Sequence, residues 1–149
     1  MANGFNEAAQ LPEIWENDNE SLSIRELKNL NFSWALKYLR GKSFINKSVN
    51  KAITVSRDGL GEWKTVTKSW EQTASIKIFD KLLENAVFWK QEPPKNNDPN
   101  IEKVLYFLQD CRINGKMYTA VITVKVYKSN NYHKYYHHYL DDFMMPLKK

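Results

Sequence analysis

Apolar positions recur with a helical period in some stretches of the chain and with a strand period in others, and this alternation of periods outlines the fold. Ser23 followed three residues later by Glu26 has the spacing of a capping box. Beyond it Leu27, Leu30, Trp34 and Tyr38 fall at helical intervals, with Ala35 and Leu39 widening the stripe. Asn31 or Ser33 offers a point where this helix breaks and is capped again, and Gly41 is a stop signal. Residues 43–57 switch to the shorter period. Phe44-Ile45 and Ile53/Val55 flank a polar stretch, which predicts a hairpin with a loose loop. Asp58-Gly59-Leu60-Gly61 reads as a turn or loop.

Residues 71–85 predict the clearest helix: Ile78, Phe79, Leu82, Leu83 and Ala86 make one apolar stripe, with Lys77, Lys81 and Glu84 facing away. A short strand over 86–90 and an exposed loop over 92–100, with three prolines and three asparagines, follow. A strand begins at 104–108 and runs toward Cys111. Asn114-Gly115 is a hairpin signal, because both positions tolerate the positive φ of a type I′ turn. Over 117–128, Tyr118, Ala120, Ile122, Val124 and Val126 share one strand face, and Thr119, Val121, Thr123, Lys125 and Tyr127 the other. A turn at 129–132 leads to a last strand at 133–140. Early helices and a late three-stranded meander predict an α+β domain over residues 23–149, preceded by a loose arm over 1–22.

Composition changes the picture in three ways. The length of 149 residues suits one domain with one ordinary core. No apolar run approaches the ~18 residues that cross a membrane. The acidic start lacks the basic and apolar regions of a secretory signal, and Cys111 is the only cysteine, so a reducing cytoplasm is the expected setting. The charge is uneven. Residues 1–30 set two cations against six anions, so residues 31–149 carry the whole surplus, +9 of a net +5. Such a body suits nucleic acid or another polyanion, and a merely lysine-rich solvated surface has the same composition.

All three histidines lie in one segment, His133-Lys134-Tyr135-Tyr136-His137-His138-Tyr139. Strict alternation puts His133, Tyr135, His137 and Tyr139 on one face, and Lys134, Tyr136, His138 and Leu140 on the other. Histidine suits general acid–base work. The alternative is a half-buried aromatic strand with histidines at its wet edge. A His133/His137 metal site lacks a third close ligand, so no metal is expected. Ser56-Arg57 and Lys64-Thr65, around the Gly59/Gly61 segment, are groups that bind phosphate, although a solvated loop reads the same way. No P-loop, Gly-x-Ser-x-Gly, His-Glu-x-x-His or acidic magnesium cluster occurs, and no nucleotide cofactor is expected. Met144-Met145-Pro146 reads as a chain end packing on the core.

Residues 35–140 also carry an ordered series of words: Ala35…Leu39, Gly41-Lys42 and Asn46; Ile53-Thr54-Val55-Ser56, Gly59 and Lys64; Leu82-Leu83-Glu84-Asn85-Ala86; Tyr106-Phe107; Ile113-Asn114-Gly115-Lys116 and Tyr118; Tyr136-His137-His138-Tyr139-Leu140. In order and spacing this series resembles a family of domains from the large polyvalent proteins of phages and mobile elements, assigned to the barnase/EndoU/colicin/RelE-like class of nuclease folds. The resemblance implies N-terminal helices packed on an antiparallel β-sheet. It implies a ribonuclease-like toxin or effector that cleaves RNA without metal, by attack of a ribose 2′-OH on the adjacent phosphate. Carried over by position, His138 would be the acid or base and Lys64 the phosphate clamp, with Tyr136 and Ser56 beside them. Arg112 or Lys125 would assist in binding phosphate, together with the Arg57 and Thr65 named above for their residue types. The alternative is a non-catalytic binding module of the same fold that docks on RNA or on a host or immunity protein. Where relatives place a further polar or histidine residue soon after the Lys64 position, this chain has Val66, Thr67 and Lys68.

Overall fold

The computed structural model of the protein describes residues 11–16, 21–95 and 98–142. Helix α1 (Ile24–Tyr38) starts at the capping box: the Ser23 hydroxyl accepts from the Glu26 N–H at 3.1 Å, and the Ser23 N–H donates to the Glu26 carboxylate at 2.9 Å. The expected break at Asn31 or Ser33 does not occur. Asn31 is fully buried, and its side-chain amide donates instead to the Thr73 carbonyl at 3.0 Å, tying α1 to a neighbouring helix. Strands β2 (Ser43–Asn46) and β3 (Lys51–Thr54) form the expected hairpin.

The turn expected at 58–61 is instead inside helix α2 (Arg57–Val66), N-capped by Ser56, whose hydroxyl accepts from the Gly59 N–H. Glycine disfavours helices, but here it answers to packing. A Cβ on Gly59 would overlap the Tyr135 carbonyl, so only glycine lets α2 lie this close to the last strand. Lys28 closes the other end of α2 by donating to the Lys64 and Thr67 carbonyls at 3.1 and 2.9 Å.

The single helix expected over 71–85 is broken into α3 (Trp70–Ser75), a 3₁₀ turn (Ile76–Ile78) and α4 (Phe79–Asn85). The tighter turn re-aims the chain. Gln72 and Ser75 stay turned toward polar partners while Ile76, Phe79, Leu82 and Leu83 all reach the core.

Strands β4 (Val87–Glu92), β5 (Ile101–Ile113), β6 (Lys116–Tyr127) and β7 (His133–Asp142) complete the sheet. Asn114 and Gly115 have the positive φ values their turn needs, 51° and 82°. The sheet runs β5-β6-β7-β3-β2, with β4 and the short β1 (Glu13–Ile14) both on the outer edge of β5. β1 is parallel to β5, through bonds from the Arg112 and Asn114 N–H groups to the Pro12 and Ile14 carbonyls. Residues 11–16 of the expected loose arm are therefore docked on the sheet. The rest of residues 1–10 and 17–20, and the expected packing of Met144-Met145-Pro146, lie outside the described residues.

This is the expected α+β architecture, with the sheet curled around the helices. The Phe88 N–H reaches back to the Ser48 hydroxyl at 3.0 Å, joining the two ends of the sheet. Phe107, Ile122, Val124 and Tyr135 of the inner face meet Trp63, Phe79, Leu82 and Leu83 of the helices in one core. Among the described residues no helix is long and apolar enough to cross a membrane.

The Gly59 contact yields a direct test. Gly59→Ala should destabilise the fold by about 1–3 kcal/mol, because a methyl group must displace backbone in a packed layer. Gly61→Ala, where no atom lies within 4 Å of the added Cβ, should be neutral or mildly stabilising. Urea unfolding midpoints of the two variants measure the difference, and equal effects would contradict the close approach.

Candidate functional site

Strand β7 does not alternate as the sequence suggests. Thr123 faces His137 and the next residue of β6, Val124, faces Tyr135, so Tyr136 is an extra residue in β7, a β-bulge. The bulge reverses the facing of everything beyond it. Tyr135 and His138 both turn inward and are fully buried. Tyr136 and His137 both turn outward, to the face of the sheet that carries Thr123 and Lys125.

The inward pair is held in a closed polar chain. The Ser75 hydroxyl donates to the Gln72 carbonyl at 2.7 Å, so it can only accept from the Nε2–H of His138 at 2.8 Å. Nδ1 of His138 is then the acceptor for the Tyr135 hydroxyl, also at 2.8 Å. The imidazole lies between Phe79 and Trp63, stacked at centroid distances of 5.3 and 6.2 Å. Among the described residues no strand pairs with the outer edge of β7 beyond Lys134, and the Gln72 side chain takes over that role. Its amide donates to the His138 carbonyl at 2.9 Å and its oxygen accepts from the Leu140 N–H at 3.1 Å.

The outward residues line two clefts on either side of a shared ridge. The Lys125 ammonium sits 3.7 Å from the centre of the Tyr136 ring, and both residues line both clefts. The first, about 450 Å³, runs along α2 past Arg57, Gly61, Glu62, Thr65 and Lys134. The second, about 310 Å³, runs over the sheet past Thr123, His137, Tyr106, Tyr139 and Pro94. The charges nearly balance: Arg57, Lys134, Lys125 and Lys95 face Asp58, Glu62 and Asp98, and Lys134 pairs with Asp58 at 3.7 Å. Cations lie over other rings of this face too, Lys90 over Trp89 and Tyr106, and Lys134 over Tyr127. Burial, with Lys125 and Lys95 adding, lowers the His137 pKa against the opposing pull of Glu62. Burial and then Glu62 raise that of Tyr136.

With this geometry in place, the comparison with known families is decisive on one point. The sequence profile of large polyvalent protein-associated domain 3 matches residues 23–139. The chain belongs to that family. No curated protein and no solved structure matches it.

In this polyvalent protein-associated domain the residues singled out from sequence divide into two groups. Arg57, Thr65, Lys125 and Tyr136 come together around the first cleft. The others do not join them. His138 is in the core, with both ring nitrogens engaged. Ser56 is the cap of α2. Lys64 lies over the Phe32 ring at 4.7 Å, in a groove with Arg25, Lys28 and Lys68 whose lining has no acidic residue. Arg112 faces Met117, eight residues along β6 from Lys125, or roughly 26 Å at ~3.3 Å per residue. His138, Lys64 and Tyr136 thus fail to converge, and the one-residue bulge is the reason for His138. Thr123, Tyr106 and Lys134 carry no sequence signal that marks them for a cleft, and His137 was assigned to the wrong face because no turn residue or glycine in 133–140 announces the bulge. Among the described residues no group of three or more His, Cys, Asp or Glu could hold a metal ion.

The buried imidazole makes stability depend on pH. Burial above all, with the neighbouring His137 adding, lowers the His138 pKa to about 3. The unfolded chain binds a proton below about pH 6.5 that the folded chain refuses until about pH 3. Stability is therefore lost as pH falls through that window, by up to about 1.4 kcal/mol per pH unit. His138→Phe should be less stable at pH 7.5, since it strands the Tyr135 and Ser75 hydroxyls. It should also lose less stability than the parent on going from pH 6.5 to 4.5. Urea melts at a series of pH values give the difference between the two chains; identical slopes would put this ring in water.

Proposed function

We propose that this domain, within a polyvalent protein of a phage or mobile element, binds single-stranded RNA across the two clefts. The observation that carries the reading is the Lys125–Tyr136 ridge: a cation and a ring in contact, shared by a cleft that holds Arg57 and Lys134 among mixed charges and a cleft lined by rings. Single strands are held by such surfaces, with bases stacking on rings and lysine or arginine tracking the phosphates. Arg57, Lys125 and Lys134 are the phosphate partners in this reading, and Tyr136, Tyr106 and Tyr139 the stacking platforms.

Cleavage of the bound strand without metal is the second reading, and it favours a different residue from the one the family pattern suggests. His137 opens into a cleft beside Tyr136, and burial favours its neutral form, which accepts a proton at neutral pH. His138 has no free nitrogen for this work.

Fluorescence anisotropy with a labelled single-stranded RNA tests the binding. Lys125→Ala and Tyr136→Ala should each weaken it by roughly fivefold or more, the lower end of a lost stacking contact. With three cations on phosphates, the slope of log affinity against log salt should be about −2. A larger effect of Lys64→Ala than of Lys125→Ala would move the interface to the groove between α1 and α2. In parallel, the intact chain and the His137→Ala and His138→Phe variants are incubated with end-labelled RNA in a chelator. The cleavage reading expects activity that His137→Ala reduces by ~10²-fold or more, and an intact RNA with the parent chain rejects it.

A further inference from the structure

Within that RNA-binding reading, we infer that the second cleft is a recognition pocket for one unstacked nucleobase, read by Thr123 and His137. Two orphaned polar atoms point to it. Thr123 is 4% exposed and lines the cleft, yet its hydroxyl has no hydrogen-bond partner among the described residues. His137 is its registered neighbour on β7, and its buried Nδ1 has no hydrogen-bond partner in any other described residue. Folded proteins rarely leave buried polar groups unpaired, and two side by side at one cleft mark a place where a ligand supplies the missing bonds. The bulge at Tyr136 is what brings the second of them there.

The chemistry of the pair suits a base edge. A threonine hydroxyl donates or accepts, and a neutral imidazole presents one donor and one acceptor, so together they can complement a donor–acceptor edge. The rings of Tyr106, Tyr136 and Tyr139 supply faces for stacking, the way single-stranded bases are read once they leave the stack. The volume, about 310 Å³, is at the small end for organic ligands, which fits one base better than a longer segment. Lys125 stands on the ridge between this cleft and the first, where it reaches the phosphate attached to a base so placed.

The test uses the full chain and titrates it with the four ribonucleosides, which carry no phosphate, and with the four 5′-monophosphates, following amide NMR shifts. One nucleoside should bind roughly tenfold or more tightly than the worst of the others, the worth of a hydrogen bond or two. Thr123→Val should erase most of that preference. Its thermal midpoint should not fall, because the hydroxyl removed has no partner in the free protein. His137→Phe, which keeps a ring beside Tyr136, should also lower the preference while preserving binding. Equal binding of all four nucleosides, no nucleoside binding, or a preference that survives Thr123→Val would each overturn the inference. RNA binding that depends on Lys125 but shows no base preference would leave the RNA reading standing and remove the pocket. Selective nucleoside binding without oligonucleotide binding would do the reverse.

Discussion

Tyr135 and His138 must both face the core although they are three residues apart on a strand, and much of the molecule follows from that requirement. Regular alternation would send one of them to the opposite side. The extra residue at Tyr136 resolves the conflict, and its cost is met by the polar chain from Tyr135 through His138 and Ser75 to the Gln72 carbonyl. Every hydrogen in that chain has one consistent place, which keeps the imidazole neutral and the network closed. An open member would be expensive in so dry a site. The same residue count pushes two consecutive side chains, Tyr136 and His137, to the other face. The candidate site is the outward image of an arrangement made for the core.

The two cationic surfaces of the domain differ in kind. The groove between α1 and α2 gathers Arg25, Lys28, Lys64 and Lys68, but Lys28 is committed to capping α2, and few rings are present. The clefts on the sheet have almost no net charge and are rich in rings, several already covered by lysine ammonium groups. Lysines parked on rings are held in place before any ligand arrives, so less side-chain freedom is lost on binding. A surface of this kind discriminates through shape and stacking rather than through long-range attraction.

Much of the fold could be read from the chain. The Ser23/Glu26 cap, the Asn114-Gly115 turn, the alternation of β6 and the α+β order all have local causes, and local causes leave local marks. The site was harder to read because its causes are remote. Gly59 looks like a turn residue until the Tyr135 carbonyl is beside it. The 3₁₀ turn at 76–78 goes with Gln72 and Ser75 meeting polar partners on β7 while Ile76 enters the core. The bulge depends on residue counts in two strands: Tyr118 to Val126 faces His133 to Asp142 with one residue to spare, a fact invisible until both ends of the pairing are known. Arg57 and Thr65 were found as residue types suited to phosphate, and Lys125 and Tyr136 through the family pattern. His137 was not, since alternation assigned it the wrong neighbours.

The docking of residues 11–16 gives the domain a polarity. Pro12 and Ile14 bond to β5 next to the Asn114-Gly115 tip, and Glu16 is fastened there by the Asn114 side chain and by Lys77. The clefts open at the other end of the same strands. Any module joined ahead of Leu11 is thus tethered to the far pole of the sheet. The chain therefore enters the described fold at Leu11 on the pole of the sheet opposite the cleft mouths.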